Sequence, residues 1–354
     1  MTNNQMTRPT TTKAAILVAQ KQPLVIDTIE LPTELDVGQV LVQIKVSGIC
    51  GSQLGEIAGV KGPDRYLPHL MGHEGFADVL EIGPGVKHVN PGDSVVLHWR
   101  PGSGIQADPP KYRWRGEQLN AGWVTTFNRH AVVSENRCTP VPNDIDPDAA
   151  ALFGCAITTG FGVIENNAGL RMGESVVVFG AGGIGLNIIQ AASLLSASTI
   201  IAVDLFDSRL ELARQLGATH IINSSHGDVE AMIQNSLAGQ LLDVFIDNTG
   251  VPTIIEQGYR LTHSNGRVIL VGVPRQGNKA AFHTLPLHFG KILTGSHGGE
   301  SKPAQDIPRY LRLLQQGRLQ IDQIVSARYS LDDINLAIEA MRNGSTSGRV
   351  MIDL

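Results

Sequence analysis

The chain has 354 residues, more than one ordinary hydrophobic core accommodates, so two domains are expected. With 42% hydrophobic and 17% charged residues, it has the balance of a globular protein and not of a disordered one. A formal net charge of -5 gives no electrostatic drive toward nucleic acid or an anionic membrane, and no apolar run reaches the ~18 residues of a membrane-spanning helix.

Met1 to Lys13 is rich in Thr and Asn and lacks an apolar core, so it reads as a mobile tail on a cytoplasmic protein, not a secretory signal. Short strands follow at Ala15–Val18, Leu24–Ile26 and Val40–Val46. Turns at Gly83-Pro84-Gly85 and Pro91-Gly92-Asp93 continue a compact β domain. Trp99 to Gly122, rich in Pro, Gly, Lys and Arg, breaks this rhythm and reads as a long functional loop or lobe. Beyond Cys155 strands and helices alternate. Ser175–Phe179 is an apolar strand, Ile184–Leu195 a helix, Ile200–Val203 a strand and Ser208–Leu216 a helix. Asp243–Ile246 and Arg267–Val271 add buried strands. This alternation implies a parallel sheet covered by helices on both faces. Ile307–Leu314 and Leu331–Arg342 read as helices, the second capped by Ser330, and Val350–Ile352 as a closing strand.

Gly180-Ala181-Gly182-Gly183-Ile184-Gly185 lies between the apolar strand and the helix. Glycine-rich turns are common, so the motif alone is weak, but its context suits a dinucleotide. The first glycine makes the tight turn, the second admits a pyrophosphate and the third lets helix and strand pack closely. Asp204 ends the next strand nineteen residues beyond Gly185, where a carboxylate can hold both ribose hydroxyls. Its charge opposes a 2′-phosphate, which favours NAD over NADP.

An odd count of three cysteines suggests thiols with separate tasks, not a disulfide framework. Cys50, His73 and Cys155 would make a zinc set that leaves a fourth position open, the pattern of a catalytic metal. Zinc would polarise an alcohol oxygen and lower its pKa. Glu74 is a candidate second partner or transient fourth ligand. Spacing alone leaves open that these are core or surface residues, and Cys138 reads as an ordinary thiol.

Cys50-Gly51-Ser52, Gly72-His73-Glu74, Pro91-Gly92-Asp93, Gly154-Cys155 and the glycine loop occur in this order over almost the whole chain. The ordered set resembles the zinc-containing medium-chain dehydrogenase/reductase family, the alcohol dehydrogenases. That resemblance implies a Rossmann domain, 157–296, inserted in a GroES-like β-rich catalytic domain formed by 1–156 and 297–354. It implies one catalytic zinc on Cys50, His73 and Cys155, with NAD as cofactor and an alcohol or carbonyl substrate. Ser52 matches the hydroxyl that bonds the substrate oxygen. Thr159 matches a nicotinamide contact, and Arg209 a cation beside the adenosine ribose. Val271 and Val273 match the segment whose backbone holds the carboxamide, and Arg349 a cation near the pyrophosphate. Trp99, Phe127 and His297 are the candidate substrate-pocket residues, with His98 and Arg100 as possible polar contacts. A homodimer or homotetramer is implied, with Arg267–Val271 and Lys291–Thr294 offered as strands that pair across subunits.

The chain departs from the family at several points. The lobe has no cysteine, so the usual four-cysteine structural zinc site is missing; Tyr112, Trp99, Trp114 and Trp123 are offered as its aromatic replacement or as cleft lining. Gly55 stands where a relay histidine is common, so protons would leave through water or Glu56. Gly51 stands in place of an arginine. Two alternatives remain at this stage: a zinc-free quinone or enoyl reductase on the same fold, and a catalytically silent NAD-binding protein. Zinc content and a simple alcohol–NAD turnover assay separate them.

Overall fold

The computed structural model describes residues 8–354. Six parallel strands form one twisted sheet in the order His220–Asn223, Thr199–Asp204, Ser175–Phe179, Leu242–Asp247, Thr262–Leu270 and Ile292–Gly295. Val176, Val177, Ile201, Ile246 and Val268 are fully buried there, as continuous apolar strands must be when helices cover both faces. The strand order reverses beside Ser175–Phe179, which opens a crevice at the carboxyl ends of the strands.

The rest of the chain is mostly β. One sheet joins Cys138–Val141, Ser94–His98, Glu74–Ile82, Gln39–Ile49, Arg349–Asp353 and Val325–Ser330, with His130–Ser134 paired to Gln39–Ile49. A smaller sheet contains His69–Leu70, Thr11–Leu17, Val25–Glu30, Tyr112–Trp114 and Glu117–Leu119. The C-terminal strand pairs antiparallel with Gln39–Ile49, so the end of the chain returns to its beginning. The Rossmann sheet is thus an excursion between two parts of the β region. No single helix among the described residues is long and apolar enough to cross a membrane.

Several expectations shift. Thr11–Lys13 is not tail but strand, paired with Thr28–Glu30; residues 1–7 of that expected tail lie outside the described residues. Ser330 caps a short 3-10 turn, Leu331–Asp333, and the helix proper is Ile334–Arg342. Thr262–Leu270 is an interior strand, so Ile292–Gly295 alone forms that edge of the sheet. Pro147–Phe153 and Ala156–Gly162 are helices that periodicity does not reveal, because Ala149–Phe153 and all of Ala156–Gly162 are buried.

The cysteine-free lobe is pinned by a carboxylate. Glu135, 1% exposed, accepts the N–H groups of Lys87 and His88 at 2.7 Å and of Ile105 at 2.6 Å. Ser134 assists, its Oγ accepting from Ala107 N at 2.8 Å. Tyr112 is fully buried and its hydroxyl accepts from Val132 N, whereas Trp123 is 43% exposed, so the aromatic residues do not form one replacement core. Burial opposes ionisation of Glu135, but its three backbone donors hold the carboxyl below its ordinary value. The stabilisation is therefore present above the unfolded carboxyl pKa of ~4.3 and is lost as pH falls through the lower folded value. Glu135→Gln is expected to lower stability by about 2 kcal/mol at neutral pH. It should also flatten the acid limb of the stability profile. Urea melts from pH 3 to 7 check this; a variant matching wild type throughout would refute the anchoring role.

Candidate active site

Three chain segments meet where the β region abuts the Rossmann sheet. Cys50 ends the long strand and precedes the helix Gly51–Ile57. Gln53 locks that corner: its Oε1 accepts from Cys50 N at 2.7 Å, and its own N–H donates to Cys50 O at 3.0 Å. His73 stands just before the strand Glu74–Ile82, after Gly72, whose φ of +93° favours glycine. Cys155 lies between the helices Pro147–Phe153 and Ala156–Gly162. A Cβ on Gly154 would lie 2.2 Å from Leu97 O and 2.9 Å from Glu74 Cα, so only glycine brings Cys155 this close.

The ligand atoms of Cys50, His73 and Cys155 all lie within 4.8 Å of one another. Both thiols are buried and all three cysteines are free. The hydrogen bond from Cys155 holds the Cys50 thiol well below its usual range against the effect of burial, and the charges of Arg349 and His73 add to it. Burial disfavours a charged His73, yet its hydrogen bond to Cys50 and the Cys50 and Glu74 charges raise it. Two thiols and an imidazole sharing protons in a buried corner are a donor set that fits zinc, which binds with proton release. Cys138, fully buried in the core, has its thiol pushed up by burial and stands apart.

Glu74 does not join this ligand group. Its carboxylate accepts Arg349 Nε at 2.6 Å, Arg349 Nη2 at 2.7 Å and Ala156 N at 3.1 Å. The structure therefore favours the positioning alternative over the fourth-ligand one. Arg349 is itself buried, and Gly183 leaves room for it: a Cβ there would lie 3.0 Å from Arg349 Nη1.

A cavity of about 760 Å³ runs from Cys50 and Ser52 past the glycine turn to Asp204 and Phe206. Its shape fits a dinucleotide. Gly180 has φ +95°, Gly182 faces open space, and a Cβ on Gly185 would lie 2.0 Å from Gly180 O. Ile184 stands in the first turn of the helix Gly183–Leu194, whose amino end faces the cavity. Asp204 is 6% exposed; its oxygens accept Ala181 N at 2.8 Å and Phe206 N at 3.1 Å, which aims the carboxylate at the cavity wall. Arg209 Nη1 is 3.8 Å from Asp204, and its guanidinium lies 4.7 Å from the Phe206 ring. Val271 and Val273 line the opposite side. Thr159 is buried with its hydroxyl unpartnered, an orphaned donor of the kind a cofactor satisfies.

Sequence reasoning overlooked the loop Asn248-Thr249-Gly250 and the aromatic Phe206, which also line this site or hold its wall. The signal was available: the loop follows a parallel strand at its carboxyl end, where ligands bind in such sheets. Asp247 shapes it, accepting Thr249 N and Gly250 N at 2.9 Å.

The pocket candidates separate. Trp99 and His297 pack edge-to-face with centroids 4.9 Å apart, and Arg100 Nη1 reaches His297 O at 2.8 Å. His98 pairs across the sheet with Glu74, which carries Trp99 toward the metal corner. Phe127 is instead fully buried in a core with Leu17, Ile49 and Met71 and is a packing residue. His98 is also unavailable to substrate: its nitrogens meet Arg100 O at 2.7 Å and Thr139 Oγ1 at 2.8 Å, and burial pushes its pKa down to about 4.

The comparisons agree with this geometry. Residues 36–143 match the alcohol dehydrogenase GroES-like domain, and residues 183–316 match the zinc-binding dehydrogenase family. The chain is 30% identical to an alcohol dehydrogenase class-3 of Cereibacter sphaeroides, covering 96% of this chain and 99% of the relative. A crystal structure of an alcohol dehydrogenase zinc-binding domain protein from Burkholderia ambifaria superposes with a TM-score of 0.87 at 31% identity, covering 97% and 99%. Benzyl alcohol dehydrogenase from Acinetobacter calcoaceticus gives 0.87 at 30% identity, with the same coverage. The chain belongs to the zinc-containing medium-chain alcohol dehydrogenases. It is an oxidoreductase that uses zinc and NAD to interconvert alcohols and carbonyl compounds.

Proposed function

We propose that the catalytic zinc is held by Cys50, His73 and Cys155 and that NAD lies along the cavity from Ser52 to Asp204. Their convergence within 4.8 Å at one end of that cavity carries this reading. Zinc at this corner would supply Lewis acidity to a substrate oxygen, and NAD in the cavity would supply the hydride acceptor. Ser52, exposed in the first turn of its helix and lining the cavity, accepts the hydroxyl proton. With Gly55 beside it, the route outward passes through water or along the helix to Glu56, one turn on. Asp204 holds the adenosine ribose and Arg209 flanks it. The backbone of Val271 and Val273 holds the carboxamide, Thr159 contacts the nicotinamide, and Arg349 stands beside the pyrophosphate.

Residues 1–156 with 297–354 form the catalytic domain and 157–296 the cofactor domain. Trp99 and His297 wall the substrate side. Their paired rings suit an alcohol with a bulky or aromatic carbon skeleton better than ethanol. The free thiols support a cytoplasmic setting, which cell fractionation would check.

Steady-state kinetics on three proteins tests the reading. Wild type should prefer NAD over NADP by about a hundredfold, roughly 2.7 kcal/mol. Asp204→Ala should narrow that ratio. Trp99→Ala should shift selectivity from bulky toward small alcohols at unchanged melting temperature. Equal use of both cofactors by wild type would overturn the role of Asp204. Unchanged selectivity with a lower melting temperature would make Trp99 a packing residue.

Assembly as a homodimer or homotetramer is also proposed. The edge strand Ile292–Gly295 has no partner on its outer side among the described residues, and Phe289 beside it is 69% exposed. A second copy pairing there would cover both. Sedimentation at micromolar concentration should show a dimer or larger; monomer alone would refute it.

A further inference from the structure

Glu56, Asp64 and His69 form a second group of metal-ligating side chains, away from the catalytic corner. Their ligand atoms all lie within 4.8 Å of one another, and the group shares no residue with Cys50, His73 and Cys155. His69 Nε2 is 2.9 Å from Asp64 Oδ2 and 3.7 Å from Glu56 Oε1. Two ligands ~2.1 Å from one ion, at angles of about 90–120°, lie about 3.0–3.6 Å apart. The observed separations therefore suit a shared ion after small side-chain adjustments.

The imidazole gives an independent sign that a cation belongs there. Its side chain is 10% exposed, and Nδ1 lies 2.9 Å from Leu70 O. A carbonyl oxygen only accepts, so Nδ1 carries the hydrogen and Nε2 of the neutral ring is a bare lone pair. That lone pair faces two carboxylate oxygens, which makes three acceptors with no donor between them. Neither carboxylate has a lysine or arginine partner among the described residues. A far nitrogen fixed on a carbonyl is also how metal-binding histidines are oriented. The Glu56 side chain is 44% exposed, so an ion and its waters can reach the group from solvent.

We propose that Glu56, Asp64 and His69 bind a divalent transition-metal ion, with water completing its shell, and that the ion pins the loop 59–66. Glu56 comes from the helix Gly51–Ile57 and His69 from the strand His69–Leu70, while Asp64 lies in the loop between them. The loop has no regular structure of its own and is held at a few points. Gln20 Nε2 donates to Gly62 O at 3.0 Å, Asn120 Nδ2 to Tyr66 O at 2.8 Å, and Gln276 N to Val60 O at 2.8 Å. Gln276 lies three residues beyond Val273, which lines the cofactor cavity, so a pinned loop steadies that segment too. One imidazole and two carboxylates are a harder set than the catalytic thiols, so the two sites differ in kind. With Glu56 on the ion, the proton route from Ser52 runs through water.

Equilibrium dialysis of the full-length enzyme against cobalt(II) chloride tests the proposal, after citrate dialysis that leaves the catalytic zinc in place. About one cobalt per chain should bind saturably, with zinc content unchanged and without the sulfur-to-cobalt absorption of a thiolate site. His69→Gln and Asp64→Asn should each weaken uptake about tenfold or more. Trypsin should cut after Lys61 and Arg65, both exposed, more slowly when cobalt is added to wild type, and at an unchanged rate in the variants. No saturable uptake by wild type would overturn the proposal, leaving a proton alone among the three groups. Equal uptake by Asp64→Asn would overturn it as well. Should His69→Gln fail to fold, the loop variant Asp64→Asn and the wild-type stoichiometry decide in the same way.

Discussion

The buried pair between Glu74 and Arg349 ties together the segments that form the metal corner and the dinucleotide turn. Glu74 follows His73 directly, and its carboxylate also takes the N–H of Ala156, the residue after Cys155. Arg349 opens the C-terminal strand that pairs with the strand leading to Cys50, and its guanidinium lies against Gly183 at the start of the cofactor-facing helix. Two metal-corner segments, the returning chain end and the dinucleotide turn thus share one ion pair. Removing either partner leaves an uncompensated buried charge, at a cost of about 3–5 kcal/mol. Burial would tend to neutralise Arg349, but the Glu74 charge and the Cys50 and Cys155 sulfurs raise its pKa. Glycines frame the arrangement: a Cβ on Gly48 would lie 2.1 Å from Glu74 Oε1.

The lobe solves a different problem. The stretch of the lobe before its hairpin has no regular pairing, and its backbone N–H groups need acceptors. Glu135 accepts from Ile105 N and Ser134 from Ala107 N, while the same Glu135 carboxylate takes Lys87 N and His88 N and so ties the lobe to the preceding turn. Carboxylate acceptors perform locally what a closed metal site performs elsewhere in such folds, with no cysteine required. Gln276 N donates to Val60 O at 2.8 Å, which joins the Rossmann and β regions in addition to Arg349 against Gly183.

Much of this was legible in the sequence where local chemistry is restrictive. The apolar run Ser175–Phe179 is a strand with those boundaries, because five consecutive buried residues fit a parallel sheet and little else. The glycine turn and Asp204 beside it were legible because few residue types suit those positions, and the convergence of Cys50, His73 and Cys155 was legible through the family resemblance, since spacing alone left it open. Phe127 and His98 were not, since residue type alone does not say which face of the chain a side chain occupies. Phe127 entered the core, and His98 turned its two nitrogens to Arg100 and Thr139. The helices flanking Cys155 were hidden by the continuous burial of Ala149–Phe153 and Ala156–Gly162, which erases the amphipathic period. The interior position of Thr262–Leu270 depends on a later strand, Ile292–Gly295, and so on topology rather than pattern.

X-ray absorption at the zinc edge of the metal-replete enzyme tests the metal assignment most directly. Two sulfur neighbours at about 2.3 Å and one nitrogen at about 2.0–2.1 Å, with one light exchangeable ligand, are expected for Cys50, Cys155 and His73. A first shell of nitrogen and oxygen alone would contradict the assignment, because it would place zinc away from the two buried thiols.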